Sequence, residues 1–443
     1  MTIRAYRLRS RLPLVVLAGL MFLQVFSPTP ATKFVLWGIA GVLVLCFVWV
    51  RVMTRGLVVK RERRHGWAQV GDVLEERFVM HNHSWVPLPW AEVRDYSNLP
   101  GYSASRAVGL GARRFTRWEK RCLCTQRGEF TLGPIEIHMG DPFGLFEATV
   151  RHNYSESFVV YPAIARLPEL ISPRGVSRGS GRANIRAMDA TTNASSVRTY
   201  VPGDALNRIH WRSTARRTMP DQEELYVRED DIEPSGDVWM ILDLQASVQA
   251  GHGRLSTEEY AVILAASLAE QLLSAQHAVG LVAYGHEPVV LWPQKGRHQL
   301  WEVLRVLAGT HASGWRPFGE VLKLTVPVLG RGVSAALITP ATANGWVDVV
   351  PEFLMRGVHT SALLVDATSF GGNGDPQSTV RSLADLGVPA RIIDSSLRLE
   401  EAGLTPEHHA KPGARQEPPE EAGRGQVRQR RRTASRWVPV GQG

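Results

Sequence analysis

The chain has 443 residues, enough for about three domains at roughly 150 residues each. Its formal charge of +9 is unevenly spread: residues 1–64 carry +10 and residues 411–443 carry +5, which leaves −6 for everything between them. An acidic middle argues against a broad basic face for DNA or RNA, so we expect no nucleic-acid partner. Three cysteines exclude a disulfide-rich secreted scaffold and provide too few ligands for a four-cysteine zinc site.

Two uncharged apolar runs, residues 12–26 and 34–50, stand near the N-terminus and are joined by a short loop with two prolines. With their flanks each is about 18 residues long, the length of a helix that just crosses a hydrocarbon core of about 30 Å. The pattern predicts a transmembrane helical hairpin with basic flanks over residues 1–60. A cleaved signal peptide is the alternative, but no clean cleavage site follows the first run.

Basic residues flank the two outer ends of the apolar runs, and the loop between them has only Lys33. The positive-inside rule therefore predicts a two-pass protein of the plasma membrane whose termini and soluble domains are cytoplasmic. The charge near the N-terminus is then explained by topology and by contact with membrane lipid.

Residues 61–165 alternate apolar and polar side chains with a period of two, and Gly and Pro turns recur between short segments. Val70–Val79, Arg113–Cys124 and Ile135–Met139 are predicted strands. Short strands with frequent turns indicate a β-sandwich. The aromatic residues of the turn at Asp141–Phe146 are expected to pack against the edge of this sandwich.

Residues 166–236 begin as a loop rich in Gly, Ser and Arg and then concentrate charged and aromatic side chains. A helical turn over Ala205–Arg212 would place Arg208 and Arg212 on one face. One interpretation is a binding site for an anion or an acidic partner, or an enzyme that uses Arg198, Asp204 and His210. The other is an Arg–Asp network that joins two domains, with Trp211 as a plug. The candidate residues are Arg198, Tyr200, Pro202, Gly203, Asp204, Arg208, His210, Trp211, Arg212 and Arg216.

The order Arg-x-Tyr-x-Pro-Gly-Asp at residues 198–204, then Ile-His-Trp at 209–211 and Ala-Arg at 215–216, resembles the signature of the bacterial "domain of unknown function 58" proteins. Residues 127–146 and the apolar N-terminal runs resemble the same family. The resemblance implies a membrane-anchored protein with a von Willebrand factor A-like domain and a MoxR-type AAA+ ATPase as a protein partner. It implies no agreed biochemical activity.

Residues 237–400 alternate apolar strands with helices, which predicts a doubly wound, mostly parallel α/β sheet. Ligands of such sheets bind at the carboxyl ends of the strands, where Asp243 lies. In the von Willebrand factor A fold that the resemblance implies, the first metal-binding loop has the pattern Asp-x-Ser-x-Ser. Here Gln245 replaces the first serine, Thr310 is the candidate threonine of the second loop, and Pro340 stands near the usual position of a further carboxylate.

A hard divalent cation needs about six oxygen ligands, some of them anionic. We therefore expect no cofactor, and a degenerate, empty metal site at Asp243, Ser247 and Thr310. Binding of Mg²⁺ or Mn²⁺ at Asp243 is the alternative.

Residues 401–443 are rich in Pro, Glu, Gly, Gln and Arg, which predicts a disordered basic tail. No Walker A motif, nucleophile elbow, zinc-protease motif or dinucleotide fingerprint is present in the sequence. The expected function is a membrane-anchored, non-enzymatic adaptor or scaffold of a bacterial envelope or stress-related system. The alternatives are an anion- or metal-dependent ligand-binding or sensing protein, or an enzyme.

Overall fold

A computed structural model of the chain describes residues 2–168, 170–171, 194–201, 209–217, 225–230, 237–342, 344–399 and 438–440. Within these ranges the protein is multidomain, with N-terminal helices, several β-sheets and a mixed α/β sheet. The order of these units along the chain follows the sequence pattern: uninterrupted apolar runs form the N-terminal helices, segments of period two form the β-sheets, and alternating strand and helix patterns form the α/β sheet.

The two apolar runs form the helices α1 (Leu12–Phe26) and α2 (Pro30–Gly56). The N-terminus of α2 is stabilised because Thr29 Oγ1 accepts a hydrogen bond from Thr32 N at 3.3 Å and because a proline is its first residue. This helix is long and apolar enough to cross a membrane, and α1 is a shorter apolar helix beside it. The first half of α2 is mostly exposed, whereas its second half packs on the β-sheets that follow. The buried residues of α2 are Leu43, Cys46, Val50, Met53 and Thr54.

The β domain takes its strands from both sides of the helices and from the end of the chain. The strands are β1 (Thr2–Leu8), β2 (Leu57–Arg63), β3 (Trp67–Gln69), β4 (Val73–Asn82), β5 (Leu88–Asp95), β6 (Arg106–Leu110), β7 (Phe115–Leu123), β8 (Gly128–Leu132), β9 (Ile135–Gly140), β10 (Phe146–His152) and β11 (Glu156–Tyr161), with β22 (Val438–Val440) from the tail. They form three sheets with the orders β1-β10-β9-β5-β6, β22-β2-β4-β7 and β3-β11-β8. Alternate residues of β4 and β9, among them Phe78 and Ile137, enter one core.

Three segments differ from their predicted assignments. Residues 2–8, assigned to the basic flank of the hairpin, form β1, which pairs antiparallel with β10 so that Leu8 lies opposite Phe146. The sequence Thr-Ile-Arg-Ala-Tyr-Arg-Leu alternates and therefore suits a strand, although it is short and basic. Likewise β2 begins at Leu57 and not at residue 61. In the tail, Val438–Val440 pairs with Arg61–Arg63 and is not disordered; the remainder of the predicted disordered segment lies outside the described residues.

The signature segment contributes β12 (Ala194–Thr199), α3 (Trp211–Arg217) and β13 (Tyr226–Asp230), with β12 and β13 paired antiparallel. The segment from 166 to 236, predicted as a loop with a motif, thus contains a two-stranded ribbon and a short helix. Residues 172–193 of the predicted glycine-rich loop lie outside the described ranges.

The α/β domain follows. Its elements are β14 (Asp237–Asp243), β15 (Gly251–His252), β16 (Leu255–Ser256), α4 (Thr257–Ser274), β17 (Ala278–Tyr284), β18 (Pro288–Gln294), α5 (Arg297–Gly309), α6 (Phe318–Thr325), β19 (Ser334–Thr339), α7 (Val350–Met355), β20 (His359–Val365), α8 (Pro376–Asp385) and β21 (Ala390–Ile393). The predicted alternation of strands and helices is confirmed, whereas α6 was not predicted.

The main sheet of this domain has the order β18-β17-β14-β19-β20-β21 and is parallel except for β18, which runs antiparallel to β17. Helices α4 and α5 contribute to the core on one face, and α6, α7 and α8 contribute to a second core. The strand order reverses at β14, because the chain first adds β17 and β18 on one side and then β19, β20 and β21 on the other. Ligand sites of such sheets lie at this reversal, beside the carboxyl end of β14.

Candidate functional site: the signature segment and the edge of the α/β sheet

The signature segment is held by backbone pairing. Ile209 forms an antiparallel bridge to Val227, and these two apolar side chains are 8% and 2% exposed. Tyr200 N donates to Leu225 O at 2.7 Å, and His210 N donates to Tyr226 O at 2.7 Å. The apolar residue of the Ile-His-Trp motif therefore anchors the start of α3 to the β12–β13 ribbon.

His210 caps this short helix. Its Nδ1 lies 2.7 Å from Ser213 Oγ and accepts a hydrogen bond from Ser213 N at 3.2 Å. Because Nδ1 acts as an acceptor here, the neutral ring carries its proton on Nε2. Thr214 Oγ1 accepts from Tyr226 N at 3.0 Å and fixes the other side of the turn. The ring of His210 thus serves the local structure that orients α3.

The residues that follow the cap face solvent. Trp211 is 67% exposed, and Arg212 and Arg216, one helical turn apart, are both exposed. The prediction that Trp211 is a plug is therefore wrong: the buried anchor of the motif is Ile209, and the tryptophan lies on the outer side of the helix. Arg212 and Arg216 lie on one face of this helix, which spans Trp211–Arg217. The predicted pair of Arg208 and Arg212 stays a prediction, because residues 202–208 lie outside the described ranges. We call Trp211, Arg212 and Arg216 the Trp211 surface.

Several candidate residues of the signature fall outside this description. Pro202, Gly203, Asp204 and Arg208 lie outside the described residues, and of Arg198 only its backbone position on β12, opposite Val227, is described. The predicted pocket of Arg198, Asp204 and His210 therefore stays a prediction.

The carboxyl end of β14 carries a buried carboxylate. Asp243 is 2% exposed, and its Oδ2 accepts a hydrogen bond from Thr339 Oγ1 at 2.5 Å while its Oδ1 accepts from Gln245 N at 3.0 Å. Burial raises the pKa of Asp243 from 3.8 to about 6, and these two hydrogen bonds oppose the rise. Thr339 Oγ1 in turn accepts from Ala341 N at 2.9 Å. Both oxygens of the carboxylate are therefore bonded within the protein.

The other candidate metal ligands bond to their own neighbours. Gln245 Nε2 donates to Ser247 Oγ at 2.6 Å, and Thr310 Oγ1, just after α5, donates to Val306 O of that helix at 2.6 Å. Among the residues that the structure describes, no three His, Cys, Asp or Glu side chains are grouped so as to hold a metal ion. A cation at Asp243 would compete with the Thr339 hydroxyl for Oδ2.

A buried arginine joins the β domain to the α/β domain. Arg127 Nε donates to Leu307 O at 3.0 Å and its Nη2 donates to Thr310 O and to Glu258 Oε1, both at 2.8 Å. Its Nη1 also contacts Glu259. Arg127, which lies between β7 and β8, thus forms an Arg–carboxylate network between the domains. The sequence offers only a weak sign of this role, an Arg-Gly turn in an alternating segment. The Arg–Asp network considered for the signature segment is a separate one and stays a prediction.

Comparison with known proteins identifies relatives of uncharacterised function. A model of the family described as "Protein of unknown function DUF58" matches residues 196–357, which contain the Trp211 surface and Asp243. This match confirms the family resemblance over that stretch. "Uncharacterized protein YeaD" of Bacillus subtilis (strain 168) is 26% identical over 278 residues, which are 60% of this chain and 65% of that protein.

"Uncharacterized protein Rv1480" of Mycobacterium tuberculosis (strain ATCC 25618 / H37Rv) is 29% identical over 158 residues, 35% of this chain and 45% of that protein. The chain therefore spans less than two thirds of the length of either relative. Among solved structures, the CARDB domain of a Pyrococcus furiosus protein is 17% identical and covers 24% of this chain and 91% of its own, with a TM-score of 0.17. A score this low carries no argument about fold.

Proposed function

We propose that this protein is a membrane-anchored, non-enzymatic adaptor of a bacterial envelope or stress-related system, and that it binds a MoxR-type AAA+ ATPase through the Trp211 surface. The observation that carries the proposal is the exposure of Trp211, at 67%, beside two exposed arginines on a helix that backbone pairing holds in place. Tryptophan and arginine are the residue types that dominate binding energy at protein interfaces. Two guanidinium groups on one face favour an acidic partner surface.

The arrangement of the β domain supports anchoring by two passes. Strand β1 precedes the helices and β2 follows them, and both belong to sheets of the β domain, through β10 and β4. A chain whose two ends return to one domain must cross a bilayer an even number of times, which favours a helical hairpin of α1 and α2. The basic residues at both outer ends support a cytoplasmic location of that domain.

The α/β domain is proposed to be von Willebrand factor A-like. Its central β14, the reversal of strand order beside it and a carboxylate at its carboxyl end support this assignment. The hydrogen bonds that both oxygens of Asp243 accept favour a domain that contacts proteins without a cation at this edge.

The test measures binding of the full-length chain, in lipid nanodiscs, to a cognate MoxR-type ATPase with and without ATP. Trp211→Ala is expected to weaken binding by about 30-fold, since a central tryptophan contributes about 2 kcal/mol at an interface. Trp315→Ala is the matched control, because Trp315 is 71% exposed and lies beside Arg316, whose guanidinium is 4.6 Å from its ring centroid. If the parent chain shows no nucleotide-dependent binding, the proposed MoxR-type partner is refuted. If Trp211→Ala and Trp315→Ala weaken binding equally, the assignment of the Trp211 surface as the binding site is refuted.

A further inference from the structure

Five connections of the β domain meet at the end from which the helices leave. Strands β1 and β2 join α1 and α2 there, and the register of the sheets brings three further connections to the same end. Leu8 lies opposite Phe146, Leu57 opposite Asn82, and Leu88 opposite Leu110. Arg9 N donates to Leu145 O at 2.9 Å, His83 N to Gly56 O at 2.8 Å and Arg113 N to Ser84 O at 3.0 Å. We call the connections 9–11, 83–87, 111–114 and 141–145, together with this end of α2, the helix-side end.

Large aromatic side chains project from this end into solvent. Phe143 is 69% exposed and Trp85 is 65% exposed. The aromatic turn at Asp141–Phe146 was expected to pack against the sandwich edge, and for Phe143 this prediction is wrong. Its turn is nevertheless rigid, because Asp141 Oδ1 accepts from Phe143 N at 2.8 Å and Asp141 Oδ2 from Phe146 N at 2.5 Å. The buried carboxylate thus holds the turn in a form that presents Phe143 outward.

The 83–87 connection is held in the same way. Ser84 Oγ donates to Val86 O at 2.8 Å, and Asn82 Nδ2 donates to both Val86 O and Gly111 O, at 2.9 and 3.1 Å. Ser84 and Val86 are buried while Trp85 between them is exposed. Trp49 of α2 donates from Nε1 to Pro87 O at 3.1 Å, so this connection is fixed against the helix.

The charge at this end is basic. Arg9, Arg11, Arg113 and Arg114 are exposed in its connections, and Arg51 and Arg55 are exposed on the adjoining part of α2. The one acidic residue of the four connections, Asp141, is 1% exposed and bonded to backbone amides. Exposed arginines with interspersed aromatic rings suit the interface of an anionic bilayer, where the rings enter the headgroup region and the guanidinium groups meet phosphate.

The length of the helices favours close approach of this end to the bilayer. Helix α1 has 15 residues and is about 22 Å long, shorter than a hydrocarbon core of about 30 Å. The difference between the length of α1 and the thickness of the hydrocarbon core is smallest when the β domain lies directly against the headgroups and the bilayer thins locally.

We propose that the helix-side end is a lipid-binding platform that seats the β domain on anionic phospholipid headgroups, with Phe143 and Trp85 in the interfacial layer. The platform sets the orientation of the β domain relative to the membrane, which a flexible tether would not. This inference rests on the membrane anchoring proposed above.

The test uses full-length protein in nanodiscs of phosphatidylcholine and phosphatidylglycerol that contain a headgroup-nitroxide phosphatidylcholine. An environment-sensitive fluorophore is attached at Phe143→Cys, at Phe34→Cys on the exposed part of α2, or at Tyr96→Cys between β5 and β6, at the opposite end of the β domain. Phe34 and Tyr96 are 80% and 52% exposed. The parent chain, whose Cys46, Cys122 and Cys124 are buried, provides the background.

We expect the labels at Phe143→Cys and Phe34→Cys to shift to the blue and the label at Phe143→Cys to lose most of its intensity to the nitroxide, while the label at Tyr96→Cys shows neither effect. Equal signals at Phe143→Cys and Tyr96→Cys, with a blue shift at Phe34→Cys, would overturn the platform and leave the anchor intact. A water-exposed label at Phe34→Cys would overturn both.

The charge requirement is tested separately. Arg113→Gln with Arg114→Gln should reduce quenching at Phe143→Cys when phosphatidylglycerol is present. The matched control is Arg331→Gln with Arg356→Gln, two exposed arginines of the α/β domain. Equal quenching in the two double variants would overturn the role of the arginines in the platform.

Discussion

Arg127 connects the β domain to the α/β domain through a side chain that is 1% exposed. We expect Arg127→Met to lower the free energy of unfolding by about 3 kcal/mol. Hydrogen bonds to charged groups contribute about 1.5–3 kcal/mol each, and removal of one partner from a buried ion pair costs about 3–5 kcal/mol. The carboxylates of Glu258 and Glu259 are 24% and 26% exposed, so water compensates them in part and the expected loss lies at the lower end of that range.

The measurement is urea denaturation of the full-length chain in detergent, followed by tryptophan fluorescence. Trp67 of the β domain and Trp301 of the α/β domain lie with ring centroids 5.0 Å apart, so the signal responds to separation of the domains. Arg127→Lys should have an intermediate effect, because it keeps the charge but loses the planar fork.

Arg94→Met is the matched control, because Arg94 and its partner Glu92 are 48% and 46% exposed and such pairs contribute little. An unchanged urea midpoint for Arg127→Met, or the same decrease for Arg94→Met, would refute the conclusion that the Arg127 contacts stabilise the domain interface.

Three further predictions concern Asp243 and Gly56, the last residue of α2. Because burial raises the pKa of Asp243 from 3.8 to about 6, the protonated side chain stabilises the fold fully below about pH 4, and this contribution is lost as the pH rises through 6. The free energy of unfolding of the parent chain should therefore fall by about 3 kcal/mol over that interval. The Asp243→Asn variant should not show this fall, and identical pH profiles of the two proteins would contradict the prediction. Since both oxygens of Asp243 accept hydrogen bonds, Mn²⁺ should leave the melting temperature unchanged, and a rise that disappears in Asp243→Ala would show that a metal binds. Gly56→Ala should lower the free energy of unfolding by about 1–3 kcal/mol, because its Cβ would lie 2.6 Å from Ser84 N. Gly41→Ala, in the same helix with no atom within 4 Å apart from its neighbours and the helix backbone, should not lower it, and equal effects of the two glycine variants would refute the argument.

Local patterns were sufficient for most of the elements. The uncharged runs near the N-terminus form α1 and α2, and the apolar run at Val238–Leu244 corresponds to β14, buried on both faces of its sheet. Helix α4 begins at a local cap, where Ser256 Oγ accepts a hydrogen bond from Glu259 N. These features depend on residues within a few positions of one another, so the pattern of a single sequence is enough to predict them.

The assignment of the site depended on contacts that the sequence does not display. One of the two interpretations of the signature segment made Trp211 a plug, yet Ile209 occupies the buried position and Trp211, the first residue of α3, is exposed. Residues 2–8 were assigned to a membrane flank because their charge suggested it, whereas a free edge of β10 accepts them as a strand.

The sequence by itself determined the apolar helices, the alternating strands and the α/β alternation, because hydrophobic period and caps act over one or two turns of chain. Only the tertiary structure decided that Arg127 meets Glu258, 131 residues away, and that Thr339 bonds Asp243 across 96 residues. It also decided that Phe143, Trp85 and the arginines share one end of the β domain with the helices. Such contacts between residues distant in sequence depend on strand register and domain packing. They form because the free energy of the whole fold, and not that of any local segment, favours them.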